Sequence, residues 1–362
     1  MRRLRIGLIG AGTIAQSAHL PAIQRLADEL ELVAIADVRA GVAADAARRF
    51  GAEAWYVDYR ELIARPDIDL VDICTPEFLH GEQAIAAAEA GKHVLCEKPM
   101  ASTLQEADAM IAAARRNGVK LMIGHSRRFT RRYQEVARLI RDGVIGEVRL
   151  VRENERRPRA MYGGLELPVS HWAPEGERPW LASAAYSQGA ALTNAVHETD
   201  LARWFIGQEA VSVYAAARVT EPGGEVPDFL TYVITFASGA LAAAEIVNQL
   251  PNGYPYYHML EVVGSDGVIR AADPPMSPLE VWRPDGMTYP LNFGHLLHVD
   301  DAYLEELAAF ARCVREDGEL PLDPWDARQA LALSIAIVQS SQTGQPVTLA
   351  SIEPEGRELE GA

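Results

Sequence analysis

The sequence predicts an α/β chain: a doubly wound parallel sheet over residues 1–125, then an α+β domain with a mostly antiparallel, open sheet over residues 126–350, and a polar tail over 351–362. Three observations predict it. Apolar strand-like runs alternate with alanine-rich helical stretches through the first 125 residues. A glycine-rich turn, Gly10-Ala11-Gly12-Thr13-Ile14-Ala15, joins the first such run to the first helix. Beyond Gly124 the pattern changes to strand-like runs joined by tight turns.

The runs 4–9, 31–37, 70–74, 93–96 and 120–124 are apolar on both sides, as strands of a parallel sheet covered on both faces must be. The stretches 42–50, 82–90 and 104–116 read as helices, closed by Gly51, Gly91 and Gly118. Residues 129–141 read as a helix closed by Gly143. Strands are expected at 148–153, 211–219, 229–236, 241–247, 259–263 and 268–271, with hairpin turns at Ala237-Ser238-Gly239 and Ser265-Asp266-Gly267. Further helices are expected at 192–205, 302–316 and 325–341. An open sheet covered by helices on one face leaves the other to a partner, so a homodimer or homotetramer through this sheet is expected.

With 362 residues, 49% of them hydrophobic, the chain has apolar mass for two cores. A net charge of −16 argues against a broad nucleic-acid or anionic-membrane surface. The charge is uneven: residues 125–160 carry 11 Lys and Arg against 5 Asp and Glu, before a strongly acidic remainder. No apolar run reaches the ~18 residues of a membrane span. The apolar run after Met1-Arg2-Arg3 contains Gly7, Gly10 and Gly12 and does not read as a secretory signal. Cys74, Cys96 and Cys313 form neither a disulfide framework nor a zinc spacing, so no metal and a reducing cytoplasm are expected.

The glycine-rich turn fits a dinucleotide site of Rossmann type. Gly10 permits the tight turn, Gly12 lets the backbone approach a pyrophosphate, and Ala15 is small enough for close helix packing. The amides around Thr13 and Ile14 open a helix whose positive end faces the phosphates. Asp37, ending the second strand, is placed to accept hydrogen bonds from the adenosine ribose and to repel the extra phosphate of NADP, which favours NAD. Arg39 is near enough to hold that phosphate, so NADP stays open.

Cys74-Thr75-Pro76 ends a strand at the carboxyl edge of the sheet, where open α/β sheets bind ligands. Thr75 either caps the next helix or bonds to the cofactor; His80 reads as a helix-start residue. In Cys96-Glu97-Lys98-Pro99 the proline holds Lys98 out of helical geometry and presents it at a strand tip. The ammonium is then either solvated or beside a reacting hydroxyl. Asn194, His197 and Asp200 recur at helical spacing, with Thr193 one turn before His197. The histidine is either a general base or the holder of a structural hydrogen bond. His125 and Arg128 follow a strand at the same edge, and Trp180 is placed to stack on a sugar ring. Arg156, Arg157 and Arg159 read as a solvated loop run, or as a site for an acidic substrate if they reach the pocket. Tyr254, Tyr256 and Tyr257 read as sheet or interface packing.

Together, the G-A-G-T-I-A turn, the Cys74-Thr75-Pro76 strand end, the Glu97-Lys98-Pro99 tripeptide and the glycine-led helix with His197 and Asp200 resemble the Gfo/Idh/MocA oxidoreductases, to about residue 350. The resemblance implies hydride exchange between a sugar or polyol carbon and nicotinamide. It implies Lys98 beside the reacting hydroxyl and His197 as acid/base. The cofactor residues are then Gly10, Gly12, Thr13, Ile14, Asp37, Arg39, Thr75, Pro76, His80, Glu97 and Lys98. The substrate residues are His125, Arg128, Trp180, Thr193, Asn194 and His197. There is one departure: many relatives carry an aspartate four residues before the histidine, where this chain has Thr193. A carboxylate–histidine pair is lost there, leaving Asn194 to orient substrate hydroxyls. Two alternatives use the same scaffold: a non-catalytic dinucleotide sensor, and an enzyme that recycles tightly bound NAD within one turnover.

Overall fold

A computed structural model of the chain describes residues 2–158, 180–221, 223–251, 254, 256–272, 279–283, 286–288 and 300–353. Arg159 and the tail beyond 353 lie outside the described residues. The described residues form two compact units: those up to 130 together with 300–328, and those of 131–158 and 180–288 together with 329–353.

The first unit is built on a six-stranded sheet. Its strands are β1 (Leu4–Ile9), β2 (Leu30–Ala36), β3 (Ala54–Tyr56), β4 (Leu70–Ile73), β5 (His93–Glu97) and β6 (Leu121–Gly124), in the order β3-β2-β1-β4-β5-β6. Every neighbouring pair is parallel. The order reverses between β1 and β4, which makes their carboxyl ends the switch point where such sheets bind ligands. Ile6, Leu8, Ile35, Val71, Ile73 and Leu95 are fully buried. Each contributes ~1.5–3 kcal/mol through burial.

A π-helical turn over Ala15–His19 leads into α1 (Leu20–Arg25), followed by α2 (Ala40–Phe50), α3 (Tyr59–Ile63), α4 (His80–Glu89) and α5 (Leu104–Asn117). Thr103 and Glu106 form a reciprocal cap at the start of α5, and Gly118 closes it in the left-handed region. Strand β3 is absent from the sequence expectation. It is three residues long, and its Trp55 is exposed, so it carries no apolar run.

In the second unit α6 (Arg131–Arg141) precedes a nine-stranded sheet. Its strands are β7 (Val148–Pro158), β8 (Ala210–Arg218), β9 (Phe229–Phe236), β10 (Leu241–Leu250), β11 (Tyr257–Gly264), β12 (Val268–Ala272), β13 (Leu279–Arg283), β14 (Gly286–Thr288) and β15 (Val347–Thr348). The order is β14-β13-β12-β11-β7-β10-β9-β8-β15. All pairs are antiparallel except β7 with β10, which is parallel. Burial alternates along β7, β9, β10 and β11. The inner face packs against α7 (Ala190–Thr193) and α8 (Ala195–Ile206). Tyr214, Val233 and Leu241 lie exposed on the other. Strand β7 runs to Pro158, so Arg156 and Arg157 lie on the sheet and not in a loop. The helix expected at 192–205 breaks at Asn194, so Thr193 belongs to a turn before the His197 helix.

Helix α9 (Asp300–Glu316) packs on α1 in the first unit, and α10 (Pro324–Thr343) follows it.

Candidate active site

At the carboxyl edge of the first sheet, Gly10 has φ +90, and a Cβ there would stand 2.7 Å from the Thr75 methyl and 2.8 Å from the Cys74 backbone. Only glycine lets the ends of β1 and β4 approach so closely. A Cβ on Gly12 would meet nothing within 4 Å. The space beside this glycine is open, as close approach of a pyrophosphate to the backbone requires. Ala15 is fully buried.

Asp37 is nearly buried and held from two sides. Its Oδ2 accepts from the Ala11 amide at 3.0 Å, and its Oδ1 from the Arg39 amide at 2.9 Å. The Arg39 guanidinium adds Nε to Oδ1 at 3.1 Å and Nη2 to Oδ2 at 3.3 Å.

The loop after β4 is tied to the Glu97-Lys98-Pro99 turn after β5. The Thr75 hydroxyl donates to Gln83 Oε1 at 2.6 Å, a partner outside the two alternatives the sequence offered. His80 is buried, with Nδ1 2.8 Å from the Pro99 carbonyl and Nε2 2.8 Å from the Thr75 carbonyl. Its ring clamps the two loops together. Pro76 starts the 3-10 turn Glu77–Leu79. The Lys98–Pro99 peptide is cis. Lys98 is half-buried at the tip. Glu97 turns inward: Oε2 accepts from the Lys98 amide at 3.0 Å, and Oε1 lies 3.0 Å from His19 Nε2. Glu77 is buried after β4, and neither carboxyl oxygen has a hydrogen-bond partner among the described residues. Burial pushes this carboxyl up to about 8, against the opposing pulls of the local backbone and of Lys98.

His125 is buried just past β6. Arg128 reaches Asp326 at 3.2 Å, at the start of α10.

In the second unit, Gly189 has φ +67, and a Cβ would meet the Pro227 carbonyl oxygen at 2.6 Å. The Ala190 amide donates to that carbonyl at 3.0 Å, which anchors α7. The Thr193 hydroxyl donates to the Gly189 carbonyl at 3.0 Å. With its amide oxygen towards Arg157, Asn194 accepts from that guanidinium at 3.3 Å and donates to the Thr193 hydroxyl at 3.1 Å. Asn248 lies 3.1 Å from the same amide. Arg157 also holds Glu155 Oε1, at 2.6 and 2.9 Å, and the Tyr256 hydroxyl donates to that oxygen at 3.1 Å. Arg157 and Tyr256 therefore belong to a polar floor beneath α7 and α8, while Arg156 turns to Glu245 on the other face. His197 and Asp200 are buried on α8. Beside them, His258 Nε2 lies 3.2 Å from Glu153 and 3.7 Å from Glu198. The Tyr133 hydroxyl lies 2.6 Å from His258 Nδ1. Trp180 lies on a short 3-10 turn ahead of α7; Tyr254 is exposed.

Residues 4–125 match the model of an oxidoreductase family with an NAD-binding Rossmann fold, and residues 133–270 match the GFO/IDH/MocA C-terminal domain. The chain belongs to the Gfo/Idh/MocA oxidoreductase family.

Within it, the chain is 32% identical to the myo-inositol 2-dehydrogenase of Thermotoga maritima, over 96% of this chain and 99% of that one. It is 30% identical to the scyllo-inositol 2-dehydrogenase (NAD(+)) of Bacillus subtilis, over 96% of each chain. A solved levoglucosan dehydrogenase in complex with NADH matches with TM-score 0.83 at 27% identity, covering 96% of this chain and 99% of that one. As a family member the chain is an NAD-binding oxidoreductase, and the open cradle at Gly12 fits that cofactor. Among the described residues no helix is long and apolar enough to cross a membrane, and all three cysteines are free and buried.

Sequence reasoning passed over His19, Asp72, Glu77, Glu155, Asn248 and Glu306, all of them buried polar residues. A signal was present for Asp72, an aspartate inside the apolar run Leu70-Val71-Asp72-Ile73. A buried carboxylate must have a partner.

Proposed function

We propose that this oxidoreductase exchanges hydride between the CH–OH carbon of a sugar or cyclic polyol and NAD, with Lys98 and His197 handling the hydroxyl. The observation that carries the reading is the built turn at Lys98: Glu97 bonds its amide, and His80 holds the next carbonyl. So much scaffolding around one lysine suits a charge held where negative charge develops. NAD supplies the hydride acceptor when bound. The backbone around Gly12, Thr13 and Ile14 would hold the pyrophosphate, and Asp37 the adenosine ribose. Lys98 stabilises the developing oxyanion, and His197 takes the hydroxyl proton.

Inositols and levoglucosan are the substrates named for relatives, and they lead the panel to test. The Arg157 charge is matched by Glu155, which supports a neutral substrate over an acidic sugar. The test is to incubate purified protein with NAD and these polyols and follow nicotinamide absorbance. No reduction with any polyol counts against the reading. Nicotinamide that co-purifies in stoichiometric amount without net NADH release would shift it to recycling within one turnover. Binding of NAD with no redox change would make the chain a sensor.

The exposed sheet face with Tyr214, Val233 and Leu241 supports a homodimer or homotetramer through that sheet. Light scattering that finds a monomer removes this part. The three free, buried cysteines suit a reducing cytoplasm.

A further inference from the structure

Below the Lys98 turn, Glu97 is the top of a row of buried ionisable groups that runs down to His19 and Asp72. His19, at the end of the π-helical turn, is fully buried. Its Nδ1 is 2.8 Å from Asp72 Oδ2, and its Nε2 is 3.0 Å from Glu97 Oε1. The other Glu97 oxygen accepts from the Lys98 amide at 3.0 Å. We propose that His19 is a positioning residue: an imidazolium fixed between Asp72 and Glu97, it locks the carboxylate that holds Lys98 and so sets where the ammonium stands. The inference rests on the reading of Lys98 as the group beside the reacting hydroxyl.

The chemistry follows from the donor inventory. A neutral imidazole has one N–H, whereas here both ring nitrogens face carboxylates. Both contacts become hydrogen bonds when the ring is charged, and each is then of the stronger, charge-assisted kind. Charge balance agrees. The groups around His19 are Asp72 on β4 and Cys74 just past it, Glu97, Cys96 and Lys98 at β5, His80 on α4, and Tyr303 and Glu306 on α9. Burial and the Glu97 charge push the Glu306 carboxyl well up, which favours its neutral form. Burial opposes charge on His19, but Asp72 and Cys74 together outweigh it and hold the imidazole well above its ordinary range. Burial raises the Glu97 carboxyl, and His19, with smaller help from Lys98 and His80, more than reverses this. Two anions, Asp72 and Glu97, then face two cations, His19 and Lys98. Burial lowers His80, whose nitrogens face carbonyls. His19, Asp72 and Cys74 also have metal-ligand spacing. The two carboxylates on opposite ring nitrogens make this an ionic bridge instead.

The test uses the full chain, with and without NAD. In spectra of protein labelled with 15N-histidine, a signal missing from His19→Gln should show an imidazolium unchanged from pH 6 to 8. The chain has three lysines, Lys92, Lys98 and Lys120, so 13C-methylation gives a resolvable Lys98 signal, assigned with Lys98→Arg. That signal should move in His19→Gln, with or without any turnover. The same variant should lose at least about tenfold in kcat, with the KM for NAD changed less than about threefold. Asp72→Asn, which keeps the shape, should bring His19 into titration near neutral pH, with kcat following its charge. A neutral His19 at pH 7, or an unmoved Lys98 signal in both variants, overturns the proposal. If wild type reduces NAD with no polyol while both spectroscopic results hold, the functional reading fails and the bridge stands.

Discussion

The Arg39 guanidinium lies on the Asp37 carboxylate, with Nε 3.1 Å from Oδ1. The amides of Ala11 and Arg39 bond the same carboxylate. Its acceptor sites are therefore filled from within the protein. A ribose diol reaches Asp37 only if the Arg39 side chain yields, and a 2′-phosphate meets a pair whose two charges already cancel. Arg39→Ala is expected to keep NADH affinity within about threefold and to cut residual NADPH affinity about tenfold or more. Asp37→Ala is expected to cost ~10–100-fold in NADH affinity, the worth of a hydrogen bond to a charged group. Fluorescence titration with each dinucleotide measures both. Equal losses for the two cofactors in Arg39→Ala would show that Arg39 takes no part in the choice.

Gly10 and Gly12 sit two residues apart and are required for different reasons. A Cβ on Gly10 would press the Thr75 methyl at 2.7 Å in a left-handed backbone. Gly10→Ala is expected to destabilise the fold by about 2–4 kcal/mol, from strain and overpacking together. A Cβ on Gly12 meets no protein atom within 4 Å. Gly12→Ala should leave the thermal midpoint within about 1–2 °C, in line with ordinary surface changes, while NADH binding falls at least about tenfold. A large stability loss in Gly12→Ala would mean the open space is not where the cofactor goes.

The parallel sheet was legible because each of its long strands is an apolar run ending at the ligand edge. The Glu97-Lys98-Pro99 and Cys74-Thr75-Pro76 ends were legible as motifs for the same reason: they fall where strands stop. Strand β3 was not, since three residues with an exposed Trp55 carry no period. The loop expected at Arg156 and Arg157 is strand, because β7 runs on through Glu153–Pro158, and strand alternation turns Arg157 inward and Arg156 outward. The break at Asn194 was hidden because nothing in Leu192-Thr193-Asn194-Ala195 interrupts a helical pattern. His19 was invisible for another reason. Its partners Asp72 and Glu97 lie 53 and 78 residues away, and only the strand order β1-β4-β5 brings them together.

Lys98 and His197 are assigned distinct tasks, so their variants should fail differently. Lys98→Ala is expected to abolish turnover while leaving NADH affinity nearly intact, because the pyrophosphate cradle and Asp37 are untouched. His197→Asn should also lose at least about 100-fold in kcat, the usual scale of general acid–base catalysis. Its residual rate should rise with pH as hydroxide replaces the missing base. Wild-type turnover in Lys98→Ala would remove that lysine from the mechanism.

Glu77 makes the pH dependence of stability testable in isolation. Its carboxyl is buried without a hydrogen-bond partner among the described residues, and burial raises it from 4.5 to about 8. Between those values the unfolded chain has released this proton while the folded chain keeps it. The folded state then binds more protons, so this group's contribution to stability falls as pH rises through the window. Below 4.5 and above about 8 the two states are protonated alike, and the slope vanishes. Glu77→Gln removes the titration and should stabilise the chain at pH 8 by on the order of 1–3 kcal/mol relative to wild type, with little effect at pH 5. Thermal midpoints of the two proteins at both pH values provide the measurement. Parallel pH curves for wild type and variant would mean that Glu77 is already ionised in the folded chain, stabilised there by the Lys98 charge.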